Sequence, residues 1–328
     1  MTGKKRILSG MRPTGPLHLG NLHGALANWV KMQETYDCFF FIADWHALTS
    51  DYEDPGAIKN YTREIMIDWL SAGLSNEKST LFVQSDIKEH SELFLILSMI
   101  TPVPWLERNP TYKDQILQLS NKDLSTFGFL GYPVLQAADI IMYKADGVPV
   151  GVDQVPHVEI TREIARRFNH FYGNIFPEPD AVLTDTPKIL GTDGRKMSKS
   201  YNNAIYLSDS PEKIASAAAG MFTDPQRKRK TDPGNPDVCN VYEFHKIYSD
   251  VDTVNDVNDG CRTARLGCVE CKRIMAQNLV KSLEPFREKR AYYEADTRRL
   301  EDIISEGRGK ARKVAGQTMD EVRSALNL

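Results

Sequence analysis

Short apolar runs alternate with longer amphipathic segments through the first 205 residues. Residues 38–43 and 81–83 are continuously apolar, and residues 52–73 carry apolar side chains at helical spacing. Strands that are apolar on both faces are typical of a parallel sheet covered by helices on both sides. We therefore predict an α/β domain over residues 1–205, built on a doubly wound parallel sheet with ligands at the carboxyl ends of its strands.

The pattern changes beyond about residue 205, where the apolar positions repeat almost wholly at helical spacing. Two apolar stripes run along this part of the chain: Met275, Leu279, Leu283 and Phe286, then Leu300, Ile303 and Ile304. We predict a separate helical domain over residues 206–328.

Charge is distributed unevenly along the chain. Residues 261–328 carry 15 Lys and Arg against 10 Asp and Glu, whereas residues 1–260 carry 26 against 34, so the net charges are +5 and −8. A basic end on an acidic body suggests that an anionic macromolecule binds at the C-terminal end. An exposed helical surface rich in Lys and Arg explains the same numbers equally well.

The composition is that of an ordinary globular protein, with 328 residues, 41% of them hydrophobic and 26% charged. This length favours two domains. Residues 1–10 contain no apolar run, and the run at 38–43 is far too short to span a bilayer. We expect a cytoplasmic protein with no membrane partner.

A predicted strand at residues 4–9 is followed by turn-forming residues and then by a helix that starts near His18. A strand, a glycine-containing turn and a helix N-terminus together present backbone N–H groups to an anion. His18, Gly20 and Asn21 would lie at that N-terminus. The chain lacks both common nucleotide fingerprints, G-x-G-x-x-G and G-x-x-x-x-G-K-[ST].

A second candidate phosphate site is the lysine loop, which we define as residues 194–200. It carries Lys196 and Lys199, separated by Met197 and Ser198. Taken alone, such a segment is more often solvated surface. The preceding residues 191–194 contain two glycines, so we expect a flexible approach that lets the loop close.

Residues 132–141 hold the densest polar chemistry of the chain. Tyr132, Gln136 and Asp139 are spaced by four and three residues and share one face if the segment is helical. A carboxylate among apolar neighbours is costly to bury without a partner. That partner is a ligand N–H group or, equally well, a backbone or arginine donor.

Four cysteines lie within one 33-residue window: Cys239, Cys261, Cys268 and Cys271. They are separated by 21, six and two residues. A C-x-x-C pair commonly binds zinc or an iron–sulfur cluster, and four thiolates suit both. Unpaired structural thiols are the alternative, since a cytosolic chain disfavours disulfides.

Residues 18–21 and 196–200, about 175 residues apart on an α/β scaffold, resemble the two signatures of class I aminoacyl-tRNA synthetases. The wider match, through residues 9–15, 132–139 and 151–157, resembles the bacterial tryptophanyl-tRNA synthetases and covers nearly the whole chain. The cysteine pattern is similar to the branch of that family with a [4Fe–4S] cluster. The resemblance therefore favours iron–sulfur, with zinc as the second choice.

The resemblance implies that tryptophan attacks the α-phosphate of ATP, bound with Mg²⁺, and that the aminoacyl group then passes to tRNA(Trp). Lys196, Lys199 and His18 would be catalytic, with the lysines on the pyrophosphate and Asp153 near the ribose. The implied ATP-binding set is Arg12, His18, Gly20, Asn21, Asp153, Lys196, Met197, Ser198 and Lys199. Arg12 stands where better-known relatives have glutamine.

For the amino acid, the resemblance implies that Asp139 binds the indole N–H group and that Tyr132 and Gln154 bind the α-amino group. His46 and Gln136 belong to the same implied pocket, although many relatives have methionine at position 136. A homodimer is implied as well. A buried acceptor for the indole N–H group would reject phenylalanine, because the acid is left unpaired without it.

Three other interpretations remain open from the sequence. The first is a class I synthetase specific for tyrosine, since Asp139 and Gln154 suit a tyrosine pocket too. The second is a small-molecule nucleotidyltransferase with the same His-x-Gly signature. The third is a cluster-bearing RNA-binding module without catalysis.

Overall fold

Five parallel strands form one sheet. The computed structural model describes residues 3–110, 112, 113, 116, 123–183 and 189–328, without the side chains of Asp153 and Ser200. The strands are β1 Arg6–Met11, β2 Asp37–Ile42, β3 Ser79–Val83, β4 Gly147–Val150 and β5 Asp180–Leu183. Their order is β3-β2-β1-β4-β5, and every neighbouring pair is parallel. This is the strand order of a doubly wound sheet, so the predicted fold class is confirmed.

Helices connect these strands and make up most of the remaining described chain. They are α1 Leu19–Asn21, α2 Ala27–Met32, α3 Asp44–Asp51, α4 Ile58–Ala72, α5 Glu89–Ile100, α6 Val103–Glu107, α7 Phe127–Met142, α8 Val155–Tyr172, α9 Pro211–Ala219, α10 Asn240–Tyr248, α11 Val251–Arg262, α12 Cys268–Ser282, α13 Glu284–Ala295 and α14 Thr297–Leu326. Among the described residues, no helix combines the length and the hydrophobicity needed to cross a membrane.

The strands predicted at residues 4–9, 38–43 and 81–83 correspond to β1, β2 and β3, each within two residues at the ends. β2 and β3 are buried almost throughout, as a central parallel strand requires. β5 was not predicted. It carries an apolar run of only three residues, 181–183, and its four residues are half-buried or exposed.

The chain divides into two compact units that do not follow the predicted boundary after residue 205. The first contains residues 1–15, 28–186 and 295–328, and the second contains residues 16–27 and 187–294. Residues 16–27 join the second unit through backbone pairing. The Leu19 N–H group donates to the Ile205 carbonyl at 3.0 Å, and the Leu207 N–H group donates to the Leu17 carbonyl at 2.9 Å.

The C-terminal helix α14 belongs to the first unit because it packs directly on β3. Gly307 lies so close to the strand that a Cβ atom there would stand 1.7 Å from the carbonyl oxygen of Leu81. One and two turns further on, Ala311 and Ala315 are fully buried. Small side chains along one helix face therefore allow this close packing.

We expect Gly307→Ala to lower the free energy of unfolding by about 1–3 kcal/mol, since the added methyl group must displace strand backbone. Gly309→Ala is the matched control in the same helix, because a Cβ atom there meets nothing within 4 Å. That substitution should stabilise the chain by up to about 1 kcal/mol, as alanine favours helix more than glycine does. Urea unfolding of the two variants measures both effects. Equal midpoints would contradict the close packing.

Candidate active site

The first signature, residues 18–21, forms the start of α1 in the second unit. The His18 backbone N–H group donates to Oδ1 of Asn21 at 3.0 Å, and the Asn21 N–H group donates to the His18 carbonyl at 2.8 Å. This reciprocal pairing closes the helix N-terminus. A π-helical segment, Leu22–Leu26, follows directly, a feature that is frequent at functional sites.

The His18 ring lies against Gly20, within the same unit as the lysine loop. A Cβ atom at position 20 would stand 3.0 Å from two ring atoms of His18 and 3.7 Å from Cβ of Met197. Burial and then the nearby charge of Lys199 lower the pKa of His18 to about 4. The ring is therefore neutral at pH 7. Its buried Nδ1 atom has no hydrogen-bond partner among the described residues, so it is open to a ligand.

The lysine loop begins at the turn of a small hairpin and ends in a short 3-10 helix that starts at Lys199. Leu190 and Lys196 form an antiparallel bridge, and the Gly191 N–H group donates to the Arg195 carbonyl at 2.7 Å. Gly194 occupies the turn with a φ of +81°, where glycine avoids strain. Residues 191–194, where we expect a flexible approach, form this turn. Gly191 is required there for a different reason, because a Cβ atom would stand 2.2 Å from the Asn203 side chain.

The predicted ATP-binding residues divide between the two units. The second unit brings together His18, Gly20, Asn21, Lys196, Met197, Ser198 and Lys199. Arg12 belongs to the first unit, where it lies close enough to Tyr132 and Asp51 to interact with their charges. The Asp153 side chain lies outside the described part of the structure.

A buried carboxylate dominates the first unit. Asp139 on α7 is 0% exposed. Its two oxygens lie 2.8 Å from Nε2 of His46, 2.9 Å from Nε2 of Gln84 and 2.6 Å from Nδ1 of His90. Nε2 of His90 lies 2.7 Å from the Tyr143 hydroxyl group. The partner of this acid is thus a set of side chains, whereas the sequence suggested a ligand, backbone or arginine donor.

Two of these side chains are brought to Asp139 because they follow the carboxyl ends of parallel strands. His46 is on α3, directly after β2, and Gln84 comes immediately after β3. Burial raises the pKa of Asp139, but the charge of His90 and the hydrogen bonds from His46 and His90 lower it by more. The result is a pKa below the ordinary value. Asp139 is therefore an ionised carboxylate at neutral pH.

The remaining predicted pocket residues surround the same face of α7. The segment is helical, and Tyr132 and Gln136 precede Asp139 by seven and three residues. The three side chains therefore share one face of α7. The Tyr132 hydroxyl group lies 3.2 Å from Nε2 of His157, a buried residue. Gln154 is half-buried at the start of α8.

Two of the side chains that contact Asp139, those of Gln84 and His90, were missed from the sequence. Gln84 carried a usable signal, since it is the first polar residue after the buried strand β3. His90 carried none, because it stands in the first turn of α5 and reaches Asp139 only through the packing of α5 on α7.

Comparison with known proteins identifies the family. A family profile described as "tRNA synthetases class I (W and Y)" matches residues 1–284. The tryptophan–tRNA ligase of Thermotoga maritima is 54% identical over 325 residues, which cover 98% of this chain and 99% of that protein. The one from Aquifex aeolicus is 48% identical and covers 98% of this chain and 100% of its own length. The chain belongs to the tryptophan–tRNA ligase family of class I synthetases.

A solved structure from this family matches the fold over almost its full length. Tryptophanyl-tRNA synthetase from Campylobacter jejuni, complexed with ADP and tryptophan, superimposes with a TM-score of 0.92 at 34% identity. The match covers 98% of this chain and 100% of that one. Membership of the family makes the protein an enzyme. The two predicted alternatives outside the synthetases, a small-molecule nucleotidyltransferase and a non-catalytic module, are therefore set aside.

The four clustered cysteines lie together in the helical part of the second unit. Cys239 directly precedes α10, Cys261 is on α11, and Cys268 and Cys271 occupy the first turn of α12. A guanidinium nitrogen of Arg227 lies 3.7 Å from Sγ of Cys261 and 3.8 Å from Sγ of Cys268.

These thiols are near enough to influence one another. Burial, followed by the neighbouring Cys239, Cys261 and Cys268, raises the pKa of Cys271 to about 12. Throughout the described part of the chain, however, no group of three or more His, Cys, Asp or Glu side chains is placed to hold a metal ion.

Proposed function

We propose that the protein activates L-tryptophan with MgATP and transfers it to the 3′ end of tRNA(Trp), releasing AMP and pyrophosphate. The observation that carries this proposal is the similarity to curated tryptophan–tRNA ligases over the full length of the chain. The two sets of side chains described above supply the chemistry that the two substrates need.

The second unit would bind the phosphates of ATP. A carboxylate oxygen of tryptophan attacks the α-phosphate, and the bond to pyrophosphate breaks. This chemistry requires positioning and charge neutralisation more than a covalent nucleophile. Lys196 and Lys199 carry positive charge for the leaving pyrophosphate, and Mg²⁺ accompanies ATP as part of the substrate.

The helix N-terminus beside the lysine loop would hold the rest of ATP. Neutral His18 offers its unpartnered Nδ1 atom. Met197 is buried and anchors the loop, whereas Lys196 is exposed. Asn21 and Ser198 complete the proposed contacts, with Asp153 assigned to the ribose and Arg12 to the ATP-binding set.

The first unit would bind the amino acid. An ionised carboxylate accepts about four hydrogen bonds, and the side chains of His46, Gln84 and His90 make four contacts with the two oxygens of Asp139. In the proposed complex, the indole N–H group of tryptophan would replace one of these contacts. His46 is 8% exposed and Asp139 is 0% exposed, so the network opens on the His46 side.

The other pocket residues would orient the amino acid. Tyr132 and Gln154 are assigned to the α-amino group, and Gln136 lies beside the indole. Phenylalanine has no N–H or O–H group on its ring to donate to Asp139, so the proposed contact would favour tryptophan over phenylalanine more than a purely apolar pocket does. Tyrosine is the competing substrate, because its hydroxyl group donates a hydrogen bond as well.

Pyrophosphate exchange separates these two substrates. We expect exchange of labelled pyrophosphate into ATP to depend on tryptophan, with tyrosine at least about 10²-fold less effective. Exchange stimulated by tyrosine and not by tryptophan would instead establish the tyrosine-specific synthetase. Charging of transcribed tRNA(Trp) then tests the second step.

The tRNA would bind through the helical region predicted over residues 206–328, with the anticodon as its target. The helices α9 to α13 of the second unit carry this role, whereas α14 packs on the sheet of the first unit. The proposal includes a homodimer. Because its substrates are tRNA and ATP, the proposal places the enzyme in the cytoplasm.

We further propose that the four cysteines bind a [4Fe–4S] cluster, with zinc as the second choice. The donor types are suitable, since four thiols lie within one unit and interact electrostatically, although the described side chains are not placed around a common metal position. Arg227, beside two of them, would offset the negative charge of bound thiolates. The group would be structural, and no step of the reaction passes through it.

Purification without oxygen tests the metal. We expect a brown protein with about four irons per chain, as that cluster type requires. Cys268→Ser should remove most of the colour, whereas Cys38→Ser should keep it, because Cys38 lies buried in β2. A colourless protein with stoichiometric zinc moves the assignment to zinc, and a metal-free protein that charges tRNA normally overturns it.

A further inference from the structure

Asn203 lies just beyond the lysine loop and is almost completely buried, with 2% of its surface exposed. Its side-chain amide group donates to Oδ1 of Asp193 at 2.7 Å and to the backbone carbonyl of Lys196 at 3.2 Å. It therefore contacts both the turn of the hairpin and the backbone of the first lysine.

The other groups of Asn203 contact the loop as well. Its Oδ1 atom accepts from the backbone N–H group of Ser198 at 2.8 Å, and its backbone carbonyl accepts from Thr192 at 2.9 Å. The missing side chain of Gly191 makes room for it. Both polar atoms of the Asn203 side chain therefore bond to backbone groups of the lysine loop, Nδ2 to Lys196 and Oδ1 to Ser198.

Asp193 strengthens this arrangement from the opposite side. Hydrogen bonding from Asn203, followed by the bonds from Arg195, lowers the pKa of Asp193 to about 2. The carboxylate also accepts from the Arg195 backbone N–H group at 3.0 Å. An ionised Asp193 therefore joins the turn to Asn203 throughout the physiological pH range.

We propose that Asn203 is a positioning residue for adenylate formation, holding the backbone of the lysine loop so that Lys196 and Lys199 meet the pyrophosphate. This inference rests on the proposed function. Lysine ammonium groups sit on flexible stems, so their placement depends on where the backbone holds their Cα atoms. Asn203 bonds directly to the backbone of Lys196 and to that of Ser198, the residue before Lys199.

Steady-state pyrophosphate exchange tests the role of Asn203. We expect Asn203→Ala to lower kcat about 10²-fold, the loss that a misplacement of about 1 Å produces. The KM for tryptophan should stay within about twofold of the wild-type value, because the substitution leaves the contacts that bind tryptophan in the ground state unchanged. Transfer from preformed tryptophanyl-adenylate to tRNA should also be unchanged, since pyrophosphate has already left.

A double-variant cycle separates positioning from general structure. In a Lys199→Ala background, Asn203→Ala should lower kcat by much less than it does in the wild type, because the group it positions is absent. Equal fold-losses in the two backgrounds would overturn the inference. So would an unchanged kcat for Asn203→Ala.

A second pair of variants decides the matter if Asn203→Ala does not fold. Asn203→Asp keeps the acceptor for Ser198, loses both donated bonds and sets a carboxylate against Asp193, so kcat should fall strongly. Adding Asp193→Asn removes that repulsion and restores an amide–carboxylate pair. The kcat of the double variant should therefore be at least about tenfold higher than that of Asn203→Asp alone. A double variant no better than Asn203→Asp alone would contradict the proposed pairing.

Asn169→Ala is the matched control for an asparagine that ties backbone together. Its side chain donates to the Phe176 carbonyl at 2.8 Å and accepts from the N–H groups of Ile175 and Phe176 at 3.0 Å each. It lies at the end of α8, in the first unit. Its kcat should match the wild type. If the wild type shows no tryptophan-dependent exchange, the proposed function fails. If the wild type shows exchange but the kcat values of the Asn203 variants do not differ as stated, only the positioning role of Asn203 fails.

Discussion

Lys199→Ala lowers the rate of tryptophanyl-adenylate formation about 10³-fold and leaves the affinity for tryptophan unchanged: this is the largest effect that we expect from a single substitution. Negative charge develops on the leaving pyrophosphate as its bond to the α-phosphate breaks. A positive charge placed there stabilises the transition state more than the bound substrates, so its loss appears in kcat.

The position of Lys199 supports this expectation. Its charge acts on His18, so the lysine and the first signature lie close together within one unit. Single-turnover formation of the adenylate measures the rate, and equilibrium dialysis of labelled tryptophan measures the affinity. Lys213→Ala is the control, since Lys213 is an exposed lysine on α9 of the same unit. A loss confined to tryptophan affinity would show that Lys199 binds the amino acid instead.

Asp139→Asn should lower kcat/KM for tryptophan about 10²-fold or more, because the charged acceptor that we propose for the indole N–H group would become a neutral amide. The decisive substrate is the tryptophan analogue with sulfur in place of the indole N–H group. The wild type should discriminate strongly against it, and the variant should discriminate much less. Equal discrimination by both proteins would show that Asp139 does not bind the indole N–H group.

The same substitution should change the dependence of stability on pH. The pKa of Asp139 is lower in the folded chain than its ordinary value, so the carboxylate contributes stability above about pH 4. That contribution is lost as the pH falls through the folded-state pKa. The unfolding midpoint of Asp139→Asn should therefore fall less steeply in acid than that of the wild type. Asp68→Asn, at a buried aspartate of α4, is the control for removing a buried carboxylate outside this network.

The helical part of the second unit shows where sequence patterns succeed and where they stop. Stripes at Met275 and Leu279 correctly predicted α12, since helical periodicity is a local property. The same reasoning joined residues 295–328 to that region. Residues 295–328 instead belong to the first unit, because Gly307 and the alanines beyond it fit closely on β3. Periodicity reports that a face is buried and not which surface covers it.

The glycines give the same lesson at atomic scale. Gly20 and Gly191 were assigned to a close nucleotide and to a mobile approach, and the structure gives each a packing reason, against His18 and against Asn203. Neither contact is visible along the chain, since the contacting groups meet only after the hairpin and α1 have formed. Gly194 alone, with its positive φ, follows from local turn chemistry.

The sequence by itself determined the parallel sheet, the helix after the first strand and the two signatures, because buried strands, turn residues and short polar motifs are encoded by neighbouring positions. Only the tertiary structure decided which side chains act together. His90 reaches Asp139 across 49 residues, and residues 16–27 join the lysine loop from the far end of the chain. Such contacts depend on how elements pack in three dimensions, and that packing is shared among residues too distant for any local pattern to record.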